Sequence, residues 1–149
     1  MRAAVMAITL VFVASTTFAH VTVWPRESRA GASERYTVRV PTEGKVATTS
    51  VEVEVPAGVT VSGVLVTGGF SYEARREGER IVAITFKQEI KPAETAEFVF
   101  FARNPATPGP LTWKARQRYA DGTSADWVGV EGDRRPASVT NVLPAASSR

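Results

Sequence analysis

Ser50-Val51-Glu52-Val53-Glu54-Val55 alternates polar and apolar side chains at every step. A strand turns successive side chains to opposite faces, so this run buries Val51, Val53 and Val55 and leaves Ser50, Glu52 and Glu54 wet. The same alternation precedes it, where Tyr36, Val38 and Val40 interleave with Arg35, Thr37 and Arg39. Beyond residue 20 no segment holds a helical period for three turns. Further strands are expected at 59–66, 70–75, 80–87, 94–103, 111–120 and 123–128. Turn residues separate them: Pro56-Ala57-Gly58, Gly68-Gly69, Gly78, Pro92, the loop from Asn104 to Pro110, and Asp121-Gly122. Asp121-Gly122, set between two alternating runs, is the sharpest hairpin signal. Phe98, Val99, Phe100 and Phe101 make both faces of 94–103 apolar, which predicts a strand in the middle of a sheet. In 111–120, Leu111, Trp113, Ala115 and Tyr119 share one face, and Thr112, Lys114, Arg116 and Arg118 the other. Seven to nine strands over about 120 residues predict an all-β, immunoglobulin-like antiparallel sandwich, with a closed barrel as the alternative.

Composition narrows the chemistry. The chain has 149 residues, 44% of them apolar, with no cysteine and one histidine. Without cysteine there is no disulfide framework, thiolate zinc site, blue-copper centre, iron–sulfur cluster or cysteine nucleophile. With one histidine, no two-histidine metal site arises within one chain. The net charge of +3, from 18 basic and 15 acidic residues, is mild and mixed in sign along the chain, so no nucleic-acid partner is implied. Repeats, interdomain linkers and low-complexity tracts are missing, apart from a polar tail at 145–149.

Residues 1–19 read as a signal peptide. Arg2 supplies the basic start, the apolar run extends to Val13, and Thr17 and Ala19 take the minus-three and minus-one positions of a cleavage site. A buried N-terminal helix is the alternative reading. The apolar run is short for a bilayer span and no second one follows, so a periplasmic or secreted protein without a membrane anchor is expected. Cleavage after Ala19 would start the mature chain at His20, the only histidine. A free N-terminal histidine offers its α-amine and imidazole Nδ1 to a metal as a six-membered chelate. Two such nitrogens suit Cu(II), which heads the divalent affinity series and prefers tetragonal N,O coordination. Carboxylate, carbonyl, indole or water must complete the set.

Several stretches carry a family resemblance: His20-Val21-Thr22-Val23-Trp24-Pro25, Val40-Pro41-Thr42-Glu43, Val55-Pro56-Ala57-Gly58-Val59, Phe101-Ala102-Arg103-Asn104-Pro105, Tyr119-Ala120-Asp121-Gly122 and Asp126-Trp127-Val128-Gly129. In order and spacing they resemble the YcnI-like copper-binding family of exported bacterial proteins. The resemblance spans nearly all of residues 20–144, the expected folded domain. It implies an immunoglobulin-like sandwich that holds one Cu(II) per chain by a monohistidine brace. His20 would give amine and imidazole, Glu43 a carboxylate, and Trp127 would flank or cover the metal. Many relatives carry a C-terminal membrane segment, where this chain has its polar tail.

The residues agree with these roles. Glu43 follows Pro41 at a strand end and precedes Gly44, so it belongs to an edge loop, either as a solvated turn residue or as a ligand whose charge would bring the site from +2 to +1. Trp127 lies where a strand runs toward Gly129 and Gly132, and its ring either fills the core or turns a face to a cation. Trp24 is a rival for covering the site, while Trp113 reads as core. The function expected is copper storage, delivery or homeostasis without catalysis. The expected partners are the copper ion and other copper-trafficking proteins of the envelope. A copper-dependent oxidative enzyme and a metal-free adhesion or carbohydrate-binding sandwich are the alternatives.

Overall fold

The computed structural model describes residues 19–147, so the expected signal peptide lies outside the described residues except for Ala19, and the tail is described only to Ser147. The described residues form three sheets. The first orders strands as β1 (Thr22–Trp24), β3 (Ser33–Pro41), β8 (Thr95–Arg103) and β5 (Thr60–Leu65). The second orders β11 (Ser124–Trp127), β10 (Ala115–Tyr119), β4 (Thr48–Glu54), β7 (Arg80–Ile90) and β6 (Ser71–Glu77). The third holds β2 (Glu27–Arg29), β12 (Ser138–Leu143) and β9 (Gly109–Trp113).

The immunoglobulin-like sandwich stands, with twelve strands among the described residues where seven to nine were expected. Three causes account for the difference. The run at 111–120 is two strands, because the chain passes from the third sheet to the second at Lys114. The short β1 and β2 lie in a stretch with too few residues to show a period. Past residue 128, Ser138–Leu143 forms β12, whose alternation buries Ser138, Thr140 and Val142, so polar residues on its inner face mask the pattern. Every strand pair is antiparallel except β2 and β12, which run parallel.

Burial follows the alternation. Val51 and Val53 are buried, as are Tyr36, Val38 and Val40. β8 sits between β3 and β5, mid-sheet as expected, but it buries only the face of Phe98, Phe100 and Ala102, while Phe101 on the other face is exposed. Rings join the sheets: Phe86 of β7 stacks on Phe98 of β8 with centroids 4.8 Å apart, and Tyr36 of β3 meets Trp113 of β9 at 4.8 Å. The Asp121-Gly122 turn closes β10 onto β11, with Gly122 N donating to Tyr119 O (3.0 Å) and Gly122 at φ +85°. No helix among the described residues is long and apolar enough to cross a membrane.

Candidate metal centre

Three distant segments meet at one end of the sandwich. His20 immediately precedes Val21, whose side chain is buried, and β1 begins at Thr22. Anchoring of Val21 and Val23 in the core holds the half-buried His20 at the rim. There its imidazole lies 5.3 Å, centroid to centroid, from the Trp127 ring, tilted by 54°. Of the two candidate tryptophans, Trp127 is thus the one against His20. Trp24 points outward, 41% exposed, its Nε1 donating to Thr22 Oγ1 (3.1 Å) and its ring flanked by the Arg26 and Arg39 guanidiniums. Trp113 is buried core, as expected, with Nε1 donating to Thr140 Oγ1.

Trp127 owes its position to register. In the β10–β11 ladder Trp127 faces Ala115 and Ala125 faces Gln117. Each large side chain opposes a small one, so Trp127 and Gln117 meet diagonally across the pair. The Trp127 Nε1–H donates to Gln117 Oε1 (3.2 Å), and the ring is left only 6% exposed. Behind it, Asp126 turns outward to a two-point ion pair with Arg116 (2.6 and 3.0 Å).

Glu43 is placed by the residues before it. Pro41 ends β3, and its carbonyl accepts from Gln117 Nε2 (2.9 Å). Thr42 is buried and held three ways: its N–H donates to Glu94 O, its carbonyl accepts from Ala93 N, and its hydroxyl donates to Thr48 Oγ1 (2.7 Å). Glu43 then enters the β3–β4 loop, exposed, with Gly44 at φ +80° beyond it. The Ala19 main-chain N–H donates to Glu43 Oε1, so the carboxylate lies beside the segment that carries His20. Glu43 and Trp127 also line one small pocket of about 120 Å³ with Tyr119, Ala125, Arg134 and Arg135. Burial pushes the Tyr119 hydroxyl above its usual range, Arg135 opposes the shift, and Glu43 adds to it.

An imidazole nitrogen and a carboxylate oxygen suit Cu(II) better than a soft, thiolate-seeking ion. Among the described residues no three His, Cys, Asp or Glu side chains converge. A metal here would therefore need donors beyond these side chains. Gln117 is the residue that reading by sequence passed over. It sits on the same face as Leu111, Trp113, Ala115 and Tyr119, a polar residue in an apolar row, and that break in the alternation was the signal.

Fold and site together define an immunoglobulin-like sandwich with a histidine, a glutamate and a tryptophan gathered at one end. Residues 20–146 match a family described as a domain of unknown function, DUF1775. The chain is also 32% identical over 139 residues to the copper-binding protein CutI of Bacillus subtilis (strain 168), covering 91% of this chain and 68% of that one. The chain belongs to this family, the YcnI-like copper-binding proteins it resembles in sequence. A crystal structure of an uncharacterized protein from Nocardia farcinica with an immunoglobulin-like fold superposes with a TM-score of 0.70 at 23% identity, covering 85% of this chain and 99% of that one. A cohesin module from a Clostridium perfringens family 33 glycoside hydrolase superposes at 0.54 and 14% identity, over 87% and 100% of the two chains. These two likenesses speak to the fold.

Proposed function

We propose that this chain is an exported protein that binds one Cu(II) by a monohistidine brace and serves copper storage, delivery or homeostasis without catalysis. Cleavage after Ala19 turns the His20 main-chain nitrogen into an amine, which chelates together with its own imidazole. Glu43 adds an oxygen donor, and Trp127 shields one side. The observation that carries this reading is the meeting of the three residues: His20 against Trp127, and Glu43 accepting from the nitrogen one residue before His20. Cleavage removes that Ala19 donor and leaves the carboxylate beside the new amine. The copper-binding relative supports the choice of metal. Folded domain 20–144, periplasmic or secreted location, and copper-trafficking partners of the envelope belong to the same proposal.

Cu(II) titrated into protein beginning at His20, and into protein with one extra residue before it, tests the brace. Tight one-to-one binding is expected only with the free histidine. Equal affinity in both overturns it. The mass of the exported protein, measured with and without Cu(II), reports the cleavage site and stoichiometry together.

A further inference from the structure

Gln117 is 1% exposed, lies in the middle of β10, and joins the two halves of the candidate centre. A burial this complete obliges each polar atom of the amide to find a partner. The indole N–H of Trp127 can only donate and the Pro41 carbonyl can only accept, so the amide has one orientation. Its oxygen takes the Trp127 N–H at 3.2 Å, and its nitrogen donates to Pro41 O at 2.9 Å and Thr48 Oγ1 at 2.7 Å. Thr48 Oγ1 in turn accepts from Thr42 Oγ1 at 2.7 Å, and Thr42 is the residue before Glu43. One side chain thereby ties the ring beside His20 to the main chain that delivers the carboxylate. None of these bonds reaches the surface, and no buried side-chain nitrogen or oxygen among the described residues lacks a partner.

We propose that Gln117 is a positioning residue for the metal centre, fixing the distance between Trp127 and the Glu43 loop through this buried hydrogen-bond chain. The inference rests on the copper reading above. Gln117 touches no donor itself and acts by holding two groups in register. Outer partners of this kind typically change metal affinity 10- to 100-fold when removed, even where they make no bond to the ion.

The test uses protein beginning at His20, as wild type, Q117M, W127F and the double variant, with Cu(II) affinity measured by chelator competition and the copper environment by electron paramagnetic resonance. Failure of the wild type to bind Cu(II) would overturn the copper reading itself. Where the wild type binds, Q117M is expected to unfold cooperatively, bind Cu(II) roughly 10-fold or more weakly, and shift the copper spectrum. Added to W127F, it should cost less than it does alone, because part of its effect passes through that ring. Wild-type affinity and spectrum in Q117M, or losses that simply multiply, would overturn the positioning role. If Q117M does not fold, T42V breaks the chain at its far end without touching Trp127. Weaker copper binding with an unchanged Trp127 indole proton resonance supports the proposal, and unchanged binding overturns it.

Discussion

Tyr36 shows how tightly a single residue is specified. It is fully buried, stacks on Phe100, meets the Trp113 ring at a tilt, and its hydroxyl donates to Asn104 Oδ1 at 2.5 Å. Asn104 spends its amide hydrogens on Ser28 Oγ and Arg29 O, so the tyrosine is the donor its oxygen depends on. Burial, with Glu34 adding, pushes the Tyr36 hydroxyl well above the usual tyrosine value of 10.0, while the bond to Asn104 acts the other way. A raised native value means the unfolded chain gives up the proton first. The stability Tyr36 contributes is thus complete below about pH 10 and drains away as pH rises beyond it. Y36F should cost about 1–3 kcal/mol at neutral pH, by leaving the Asn104 oxygen without its donor. It should also flatten the alkaline fall in stability. Denaturant unfolding across the alkaline range checks both, and an equally steep fall in Y36F would contradict the assignment. At this scale the sequence was readable: Tyr36 stood in the apolar phase of an alternating run. Asn104 looked like a loop residue, because its partners arrive from 68 to 76 positions away.

At the scale of elements, the strands that alternate cleanly were legible and those that mix polar residues into the buried face were not. β3, β4 and β8 fall where periodicity puts them, whereas β12 buries Ser138 and Thr140, and β10 buries Gln117. Those polar residues are satisfied across sheets, and only assembly creates their partners: Ser138 Oγ accepts from Val23 N, and Thr140 Oγ1 donates to Pro25 O. The loop after β11 makes the same point. In the sequence Gly129 is one of two glycines toward which the strand of Trp127 runs. In the folded chain its N–H donates to Arg135 O and its carbonyl accepts from Ala137 N, closing the 130–136 loop on itself. A Cβ at Gly129 would stand 2.5 Å from Asp133 Oδ2 and 3.0 Å from the Arg135 carbonyl. Because Arg134 and Arg135 line the pocket with Glu43 and Trp127, a shift in this loop reaches the candidate centre. G129A is expected to destabilise by about 1–3 kcal/mol through overpacking, read as a lower denaturant midpoint at unchanged slope. A wild-type midpoint would mean that the loop yields freely.

For the whole molecule, the proposed copper binding couples to folding. The three proposed ligating and shielding residues are 23 to 107 positions apart along the chain, so an unfolded chain holds the ion poorly. An ion that prefers the native state stabilises it, by about 4 kcal/mol when present at a thousand times its Kd. Protein beginning at His20 should melt at a higher temperature with Cu(II), and a form extended by one residue should gain much less. In the proposed brace both nitrogens must be free of protons to bind Cu(II), so the gain should shrink from about pH 8 to about pH 5. Calorimetric scans with and without Cu(II) at the two pH values decide it, and a gain independent of pH would point to carboxylate binding alone. The sequence by itself determined that the chain is all-β, because period-two burial is a local property of each strand. It also singled out His20 by scarcity, and the family resemblance pointed to Glu43 and Trp127. Only the tertiary structure decided that Trp127 rather than Trp24 lies against His20, and that Gln117 bridges Trp127 to the Glu43 stem. Both follow from strand register and sheet packing, which bring together residues with no local relation in the chain.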